Sequence, residues 1–270
     1  MSDFATHWFL TGLALTAGAG VALFLVTFVV ARTVGRWNVV DITWGLSFAV
    51  MAATAFAWSA EEPGGNTVRR VLVLVLTATW GLRLAAFIGW RSRGQGEDPR
   101  YVEMFERAGR SPTWFALRLV FVPQALIAWF VSMPVQMAMY ERAGVGPLVW
   151  LGAALWVIGV FFEAVGDAQM SRFRADPANR GLVMDRGLWR YTRHPNYFGD
   201  AAVWCGLYLV AADRWPGATT ALSPLAMLYF LYFKSGKGLL EKHLADRRPG
   251  YREYMERTSG FLPRPPRRRA

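Results

Sequence analysis

The stretch "GLWRYTRHPNYFGDAAVW", residues 187–204, changes character within a few positions. Arg190, Arg193 and His194 stand with two tyrosines, Asn196 and Asp200, and the chain then turns apolar from Ala201 onward. Proline breaks a helix that runs into it but starts one well. Pro195 therefore predicts the point where a polar loop enters an apolar helix. The rest of the chain agrees with that reading. Its 270 residues are 54% hydrophobic, and its mean hydropathy is +0.21. That is too apolar for an ordinary soluble protein. Several runs approach the roughly 20 residues that cross a bilayer. The expected fold is all-α: a polytopic membrane protein of about seven transmembrane helices, near residues 7–31, 39–60, 70–90, 113–140, 145–165, 197–212 and 218–233. No polar linker divides it, so one membrane domain, 1–270, is expected.

A net charge of +11 raises nucleic acid as a partner. The basic tail "PRPPRRRA" is short and lacks interleaved aromatics, so a cytoplasmic surface contact explains it better. Cationic segments stay on the cytoplasmic side of a membrane. With the N-terminus outside, 24 of the 30 Lys and Arg residues fall in cytoplasmic segments and 4 outside. That asymmetry predicts a multi-pass inner-membrane protein with a cytoplasmic C-terminus. The start, "MSDFATHWFL", has no cationic region and no small-residue cleavage site, and reads as the mature chain. Cys205 is the single cysteine, and His7, His194 and His243 share no ligand spacing with acids, so no metal site is expected.

The loop before the opening stretch, from Glu163, adds Asp167, Arg174, Asn179 and Arg186. Arginine offers a forked donor to phosphate, and asparagine offers both a donor and an acceptor. The first N–H groups of a helix starting at Pro195 would face an anion. A cationic loop alone would satisfy the positive-inside rule. The dense series Asp167, Asn179, His194, Asn196, Tyr197 and Asp200 is not explained by charge alone.

"GLWRYTRHPNYFGD" resembles the C-terminal signature of the steroid 5α-reductase superfamily, and specifically its bacterial membrane branch. The similarity continues in Trp204, in Glu241 with Tyr251 and Tyr254, and in "NVVDITWGLSF" and "WGLRLAAFIGWRSRGQGEDPRY". It implies seven transmembrane helices, with NADPH entering from the cytoplasm and capped by cytosolic loops. It implies cofactor contacts at Asp167, Arg174, Asn196 and Asp200, with Arg193, His194 and Tyr197 in the same stretch and Asn179 and Arg186 in the same loop. Trp204 would line the pocket, Arg91 would approach the phosphates, and Glu241, Tyr251 and Tyr254 would close the site. The first 140 residues or so would serve the substrate and the remainder the cofactor. The implied reaction is reduction of a carbon–carbon double bond in a hydrophobic enone. One departure is chemical. Trp80 stands where steroid 5α-reductases carry a tyrosine, and an indole cannot act as a general acid as a phenol does.

The same R-H-P-x-Y-x-G spelling occurs in isoprenylcysteine and phospholipid methyltransferases, where it would imply S-adenosylmethionine. A non-enzymatic lipid-binding protein is the third reading. The seven spans, Asn196 after the His-Pro, and the many loop arginines that suit a 2′-phosphate favour the reductase. Within the spans, Asp41 is the expected catalytic acid, or else a cap for the second helix. Arg83 is a candidate partner for it. Trp44 and Trp80 are expected to wall a flat apolar substrate, and Gln124 to meet a substrate oxygen. Pro123, Gln124, Pro134 and Gln136 predict an irregular fourth span.

Overall fold

The computed structural model describes residues 4–106, 111–234, 241 and 248–267. His243 and the last three residues of the basic tail lie outside the described residues. Those described are helical or irregular, with one isolated antiparallel bridge between Phe4 and Glu141 and no strand. The chain divides into two compact units. One is Met1–Val149 with Val210–Ser223, and the other is Trp150–Leu209 with Pro224–Ala270. They are called here the N-terminal and C-terminal units.

The N-terminal unit begins with three long helices, α1 (Thr6–Val34), α2 (Val39–Ala60) and α3 (Thr67–Arg91). Local chemistry sets their ends. Gly35 takes the left-handed conformation at φ 73° and returns its N–H to Ala31 O, closing α1. The Asn66 side chain accepts the Arg69 N–H at 3.0 Å and opens α3. Helix α2 packs between α1 and α3. It meets α3 at Gly45 and Gly81, where a Cβ on Gly45 would lie 2.6 Å from the Gly81 carbonyl oxygen. Small residues let membrane helices approach this closely.

A short helix α4 (Pro99–Glu106) precedes an interrupted segment. Helix α5 (Pro112–Ala116) runs into a π turn over Leu117–Phe121, then α6 (Val122–Val131) and α7 (Met133–Met139). The single span expected over 113–140 is thus broken twice. Pro123 has no N–H to donate to the preceding turn and its ring crowds that turn, so the helix widens there. Gln136 is 1% exposed and is satisfied within this unit. Its amide nitrogen donates to Ser132 Oγ at 2.7 Å, and its oxygen accepts the Thr16 hydroxyl.

Buried ion pairs tie the far end of this unit. Glu62 joins Arg70 at 2.6 Å and Arg142 at 2.7 Å, and Arg69 joins Asp213 at 2.8 Å. Arg69 also donates to the carbonyls of Val210 and Gly144. Asp213 additionally accepts the Gly146 N–H at 3.0 Å. Burial would raise its carboxyl, but the bonds from Arg69 and Gly146 outweigh that and hold it below the usual carboxylate range.

The C-terminal unit is built on most of α8 (Pro147–Ala175) and α9 (Pro195–Ala212). They cross along two glycine pairs. A Cβ on Gly159 would stand 2.6 Å from Gly199 O, and one on Gly206 would stand 2.6 Å from Gly152 O. Each pair is seven residues from the next on its own helix, two turns along one face.

Among the described residues, five helices or helical runs are long and apolar enough to cross a membrane: Thr6–Val34, Val39–Ala60, Thr67–Arg91, Pro112–Val131 and Pro147–Ala175. The other two expected spans form shorter or more polar elements. Helix α9 opens on the polar turn with Asn196, Tyr197 and Asp200. The stretch expected at 218–233 is split among α10 (Trp215–Ala218), a 3-10 turn, α11 (Leu222–Tyr229) and a π turn at Phe230–Lys234.

Candidate functional site

In the C-terminal unit the end of α8, the loop into α9 and the chain near helix α12 (Tyr251–Arg257) enclose a cavity of about 650 Å³, its open mouth included. That is the size of a small-molecule site. Phe173, Met184, Trp189, Tyr251 and Tyr254 supply its apolar and flat walls, and Arg174, Arg193, His194 and Arg248 supply its polar ones. Gly187 makes the loop possible. It sits at φ 57°, and a Cβ there would run into the Gln169 side chain. Gln169 instead accepts the Leu188 N–H at 3.0 Å, and Trp189 Nε1 donates to Gly166 O at 3.0 Å.

The loop and the tail are joined through Arg193 and His194. Arg193 Nε donates to Glu241 Oε1 at 2.9 Å and Nη2 to Oε2 at 3.1 Å. Its Nη1 donates to the carbonyls of Met255 at 2.8 Å and Thr258 at 2.5 Å. His194 Nε2 lies 2.9 Å from Glu241 Oε1, and the imidazole stacks on Tyr197 with ring centres 5.2 Å apart. Burial alone would raise the Glu241 carboxyl. The hydrogen bonds from His194 and Arg193 outweigh that and hold it at about 2. With Glu241 ionised, His194 Nε2 carries the proton in this contact. Main-chain bonds continue the seam. Arg193 N–H donates to Ser259 O at 2.9 Å, the Thr192 hydroxyl to Phe261 O at 2.8 Å, and Arg264 N–H to Tyr191 O at 3.0 Å. Tyr254 is buried and donates to Trp189 O. Burial, followed by the Glu241 charge, pushes the Tyr251 phenol up to about 12, so it stays a hydrogen-bond donor.

Of the residues singled out in the sequence, Arg174, Arg193, His194, Tyr251 and Tyr254 stand on the cavity wall, and Glu241 holds two of them. Asp167 lies on α8, and Asn196, Tyr197, Asp200 and Trp204 lie on α9, off that wall. Trp204 is fully buried. Asn179 donates to Phe173 O at 3.1 Å and to Asp176, finishing the end of α8. Arg186 is exposed beyond the wall. Arg91 belongs to the N-terminal unit, its guanidinium 5.5 Å from the Phe87 ring centre. Trp189 was quoted with the motif without a role, and Arg248, Phe173 and Met184 were missed. A basic and aromatic chain segment around "RRPGYREY" was the available signal.

The N-terminal unit has a second polar cluster. Asp41 is the third residue of α2, and no side-chain cap is made at Asn38. The cap position is filled otherwise: Glu97 accepts the N–H groups of Trp37 and Asn38. Asp41 instead accepts the Tyr101 hydroxyl at 2.7 Å and Arg100 Nη2 at 3.3 Å. Arg83, the partner considered from sequence, lies 5.7 Å from the Phe87 ring centre. Arg100 is held by both oxygens of Asp98, at 3.0 Å each. These bonds overcome the opposing effect of burial and keep Asp98 below the usual carboxylate range. Gln124 hydrogen-bonds the Tyr101 oxygen. Burial, then the Asp41 charge, raises the Tyr101 phenol well above its ordinary range, so it keeps its proton. A cavity of about 430 Å³, open mouth included, is bordered by Arg100, Tyr101, Met104, Leu119, Val120 and Gln124. Leu119 and Val120 belong to the π turn. Trp80 is fully buried against Phe48, which also meets Trp44, and none of the three borders this cavity. Tyr101 was missed as a site residue; its signal was its place two residues after Pro99, in the first turn of a helix that Asp98-Pro99 starts.

The described residues, helical with five stretches fit to cross a membrane, define an all-α membrane protein. The chain belongs to the family described as protein of unknown function (DUF1295), which it matches over residues 27–258, and is steroid 5α-reductase-like. It is 26% identical over 231 residues to an uncharacterised protein of Schizosaccharomyces pombe, covering 73% of this chain and 64% of that one. It is 30% identical over 139 residues to 3-oxo-5-alpha-steroid 4-dehydrogenase 1 of Mus musculus, covering 50% of this chain and 54% of the relative. The Rattus norvegicus protein of the same name is 33% identical over 95 residues, 34% of this chain and 36% of that one. The chain therefore spans less than two thirds of the length of these relatives.

Proposed function

We propose that this chain is an integral membrane reductase that uses NADPH to saturate a carbon–carbon double bond in a hydrophobic enone. The observation that carries the reading is the composition of the C-terminal unit's cavity. Trp189, Tyr251 and Tyr254 offer flat faces to a base, and Arg174 and Arg248 bring cations to the same wall. Those residue types fit an adenine nucleotide with an extra phosphate. Arg193 is a different case, since its N–H groups are engaged by Glu241, Met255 and Thr258; it holds the wall in place. A bound reduced nicotinamide would supply hydride, and the protein's part is to position and seal the site. The names of the mouse and rat relatives support a dehydrogenase acting on a CH–CH group. Gln124, on the wall of the N-terminal unit's cavity, and Asp41, which accepts the Tyr101 hydroxyl there, are assigned to the substrate. The charge asymmetry supports a bacterial inner-membrane location with the N-terminus outside and the C-terminus cytoplasmic.

The test is a fluorescence titration of the purified full chain in detergent. NADPH should bind saturably, more tightly than NADH, and S-adenosylmethionine should not bind. Saturable S-adenosylmethionine binding without NADPH binding would replace the reductase by a methyltransferase.

A further inference from the structure

We propose that Arg190, Tyr191, Leu262, Arg264 and Arg267 form a docking patch for anionic phospholipid of the bilayer that the chain crosses, and that docking holds the tail closed over the C-terminal unit's cavity. The second half rests on the NADPH reading of that cavity, to which it adds a means of regulation. Three observations carry it.

The first is where the tail lies. The Phe261 ring centre is 6.4 Å from that of Phe198 and 6.2 Å from that of Tyr232, and Phe198 is 4.8 Å from Phe162. Phe162 stands within Pro147–Ala175, one of the stretches fit to cross a membrane, and its neighbour Phe161 is 53% exposed. This aromatic chain ties the tail to a membrane helix. Leu262, the next residue, is 51% exposed, and Tyr191 is 43% exposed. A tyrosine and a leucine held there suit the headgroup boundary, where an apolar body meets lipid and a hydroxyl meets water.

The second is charge. Arg190, Arg264 and Arg267 are exposed. The Arg264 N–H donates to Tyr191 O at 3.0 Å, which brings the two segments side by side, and the Arg267 N–H donates to Arg257 O at 2.9 Å. Residues 185–199, 241 and 248–267 hold eight arginines against four acids, Asp185, Glu241, Glu253 and Glu256. Asp185 is taken by Arg257 and Glu241 by Arg193, and the other two acids belong to α12. Residues 186–199 and 258–267 contain no acid at all. Arginine presents a fork to phosphate. Each cation beside an anionic membrane surface strengthens attachment about fivefold.

The third is the connection to the cavity. The tail segment that carries the patch is bonded to the loop that carries the wall. The Arg193 N–H donates to Ser259 O at 2.9 Å, and the Thr192 hydroxyl donates to Phe261 O at 2.8 Å. Arg193 and His194 border the cavity from the loop, and Tyr251 and Tyr254 border it from the tail. A surface that pins both segments holds the two sides of the wall together. A partner that favours the closed form raises the affinity of the cavity for its ligand, and the ligand strengthens docking by the same factor.

The experiment reconstitutes the full chain in nanodiscs of phosphatidylcholine, with and without phosphatidylglycerol. Docking is read in the absence of nucleotide, as the rate of chymotrypsin cleavage between Phe261 and Leu262. Closure is read by NADPH titration. Phosphatidylglycerol should slow the cut about fivefold or more and tighten NADPH by about fivefold or more. Arg264→Gln combined with Arg267→Gln keeps the main-chain bonds of the tail. It should abolish both differences and leave NADPH affinity in phosphatidylcholine unchanged. If that double variant fails to fold, the wild-type comparison and Arg190→Gln decide. An equal cut in the two discs would overturn the patch, and a slower cut with unchanged NADPH affinity would overturn its hold on the cavity. A double-stranded oligonucleotide that protects the tail in phosphatidylcholine as well as phosphatidylglycerol does would replace lipid by nucleic acid. If NADPH binds in neither disc while phosphatidylglycerol still protects the tail through Arg264 and Arg267, the reductase reading falls and the docking patch stands.

Discussion

Arg193 and Glu241 meet through two hydrogen bonds, Nε to Oε1 at 2.9 Å and Nη2 to Oε2 at 3.1 Å, with side chains 10% and 9% exposed. For an arginine in a solvated loop, substitution by alanine would cost only ligand affinity. The structure changes that expectation. Removing one partner of a buried pair strands the other charge and costs about 3–5 kcal/mol. It also frees the carbonyls of Met255 and Thr258. Arg193→Ala should therefore loosen the tail, seen as faster proteolysis within residues 248–264 and a lower unfolding temperature in detergent. Asn196→Ala, on the first turn of α9 and off the cavity wall, is the control and should leave both unchanged. Equal protease resistance of Arg193→Ala and wild type would show that the pair is not what holds the tail.

The same pair predicts a pH dependence. Glu241 ordinarily titrates at 4.5 and is held here at about 2, because the bonds from His194 and Arg193 outweigh burial. A depressed carboxyl makes the unfolded chain bind more protons as pH falls. Its stabilisation is thus complete above about pH 5 and is lost as pH drops from about 4.5 towards 2. The amount is roughly 3 kcal/mol. Thermal unfolding monitored by tryptophan fluorescence should fall across that window, and Glu241→Gln should flatten the fall. An unchanged slope in Glu241→Gln would assign the acid sensitivity to other carboxylates.

Helix crossings make a third prediction by contrast. Gly159 faces the Gly199 carbonyl oxygen, where a Cβ would stand at 2.6 Å. Gly18 on α1 has nothing within 4 Å of the place its Cβ would occupy. Gly159→Ala should destabilise by about 1–3 kcal/mol through overpacking. Gly18→Ala should be neutral or gain a few tenths, because alanine is the better helix former. Unfolding temperatures of the two purified variants, measured side by side, decide it. Equal values would mean that α8 and α9 separate without cost.

The contiguous parts of these sites were legible, and the paired parts were not. Residues 187–200 could be read as a loop entering a helix because proline, glycine and the polar run lie within a few positions of each other. The apolar runs could be read as helices because burial in lipid is counted residue by residue. The bond from Tyr101 to Asp41 joins positions 60 apart. Glu62 and Arg142 pair across 80 positions. Nothing in hydropathy or charge counting records which distant side chains meet. Arg193 shows the same limit. Its charge suggested a phosphate, and only the fold reveals that protein acceptors already take its Nε, Nη1 and Nη2 donors. The seventh expected span, 218–233, is divided for a local reason. Pro224 punctuates a run whose average composition is continuous.

Membrane orientation is a fourth prediction. The excess of Lys and Arg in one set of segments predicts an outside N-terminus and an inside C-terminus. The loop between α2 and α3 must carry the outside reporter, and Glu62 is the wrong place for it, since its carboxylate is buried between Arg70 and Arg142. Gly64 is exposed and suits a sandwich fusion. Alkaline phosphatase should be active at Gly64, and green fluorescent protein should be fluorescent when fused after Ala270. Both reporters on one side would refute the orientation.

Asp41 allows the substrate assignment to be tested without disturbing the cofactor. It is the third residue of α2 and accepts Tyr101 and Arg100. Asp41→Asn keeps the size and one acceptor oxygen but loses the charge. If the carboxylate served only the helix terminus, the loss would be the interaction of one charge with the dipole, about 0.3–1 kcal/mol, and turnover would stay near normal. If it orients the phenol toward a substrate oxygen, turnover should fall by about 10²-fold, as for loss of a positioned acid–base group. NADPH affinity and unfolding temperature should hold in either case, so a fall in turnover alone identifies the functional role. The assay needs a reducible ligand, and a panel of hydrophobic cyclic enones follows from the reductase reading. If the phenol makes the contact, Tyr101→Phe in the same panel should lower turnover at least as far. A double variant no slower than Tyr101→Phe alone would show that Asp41 acts through Tyr101, whereas multiplicative losses would mean that the two serve the reaction independently.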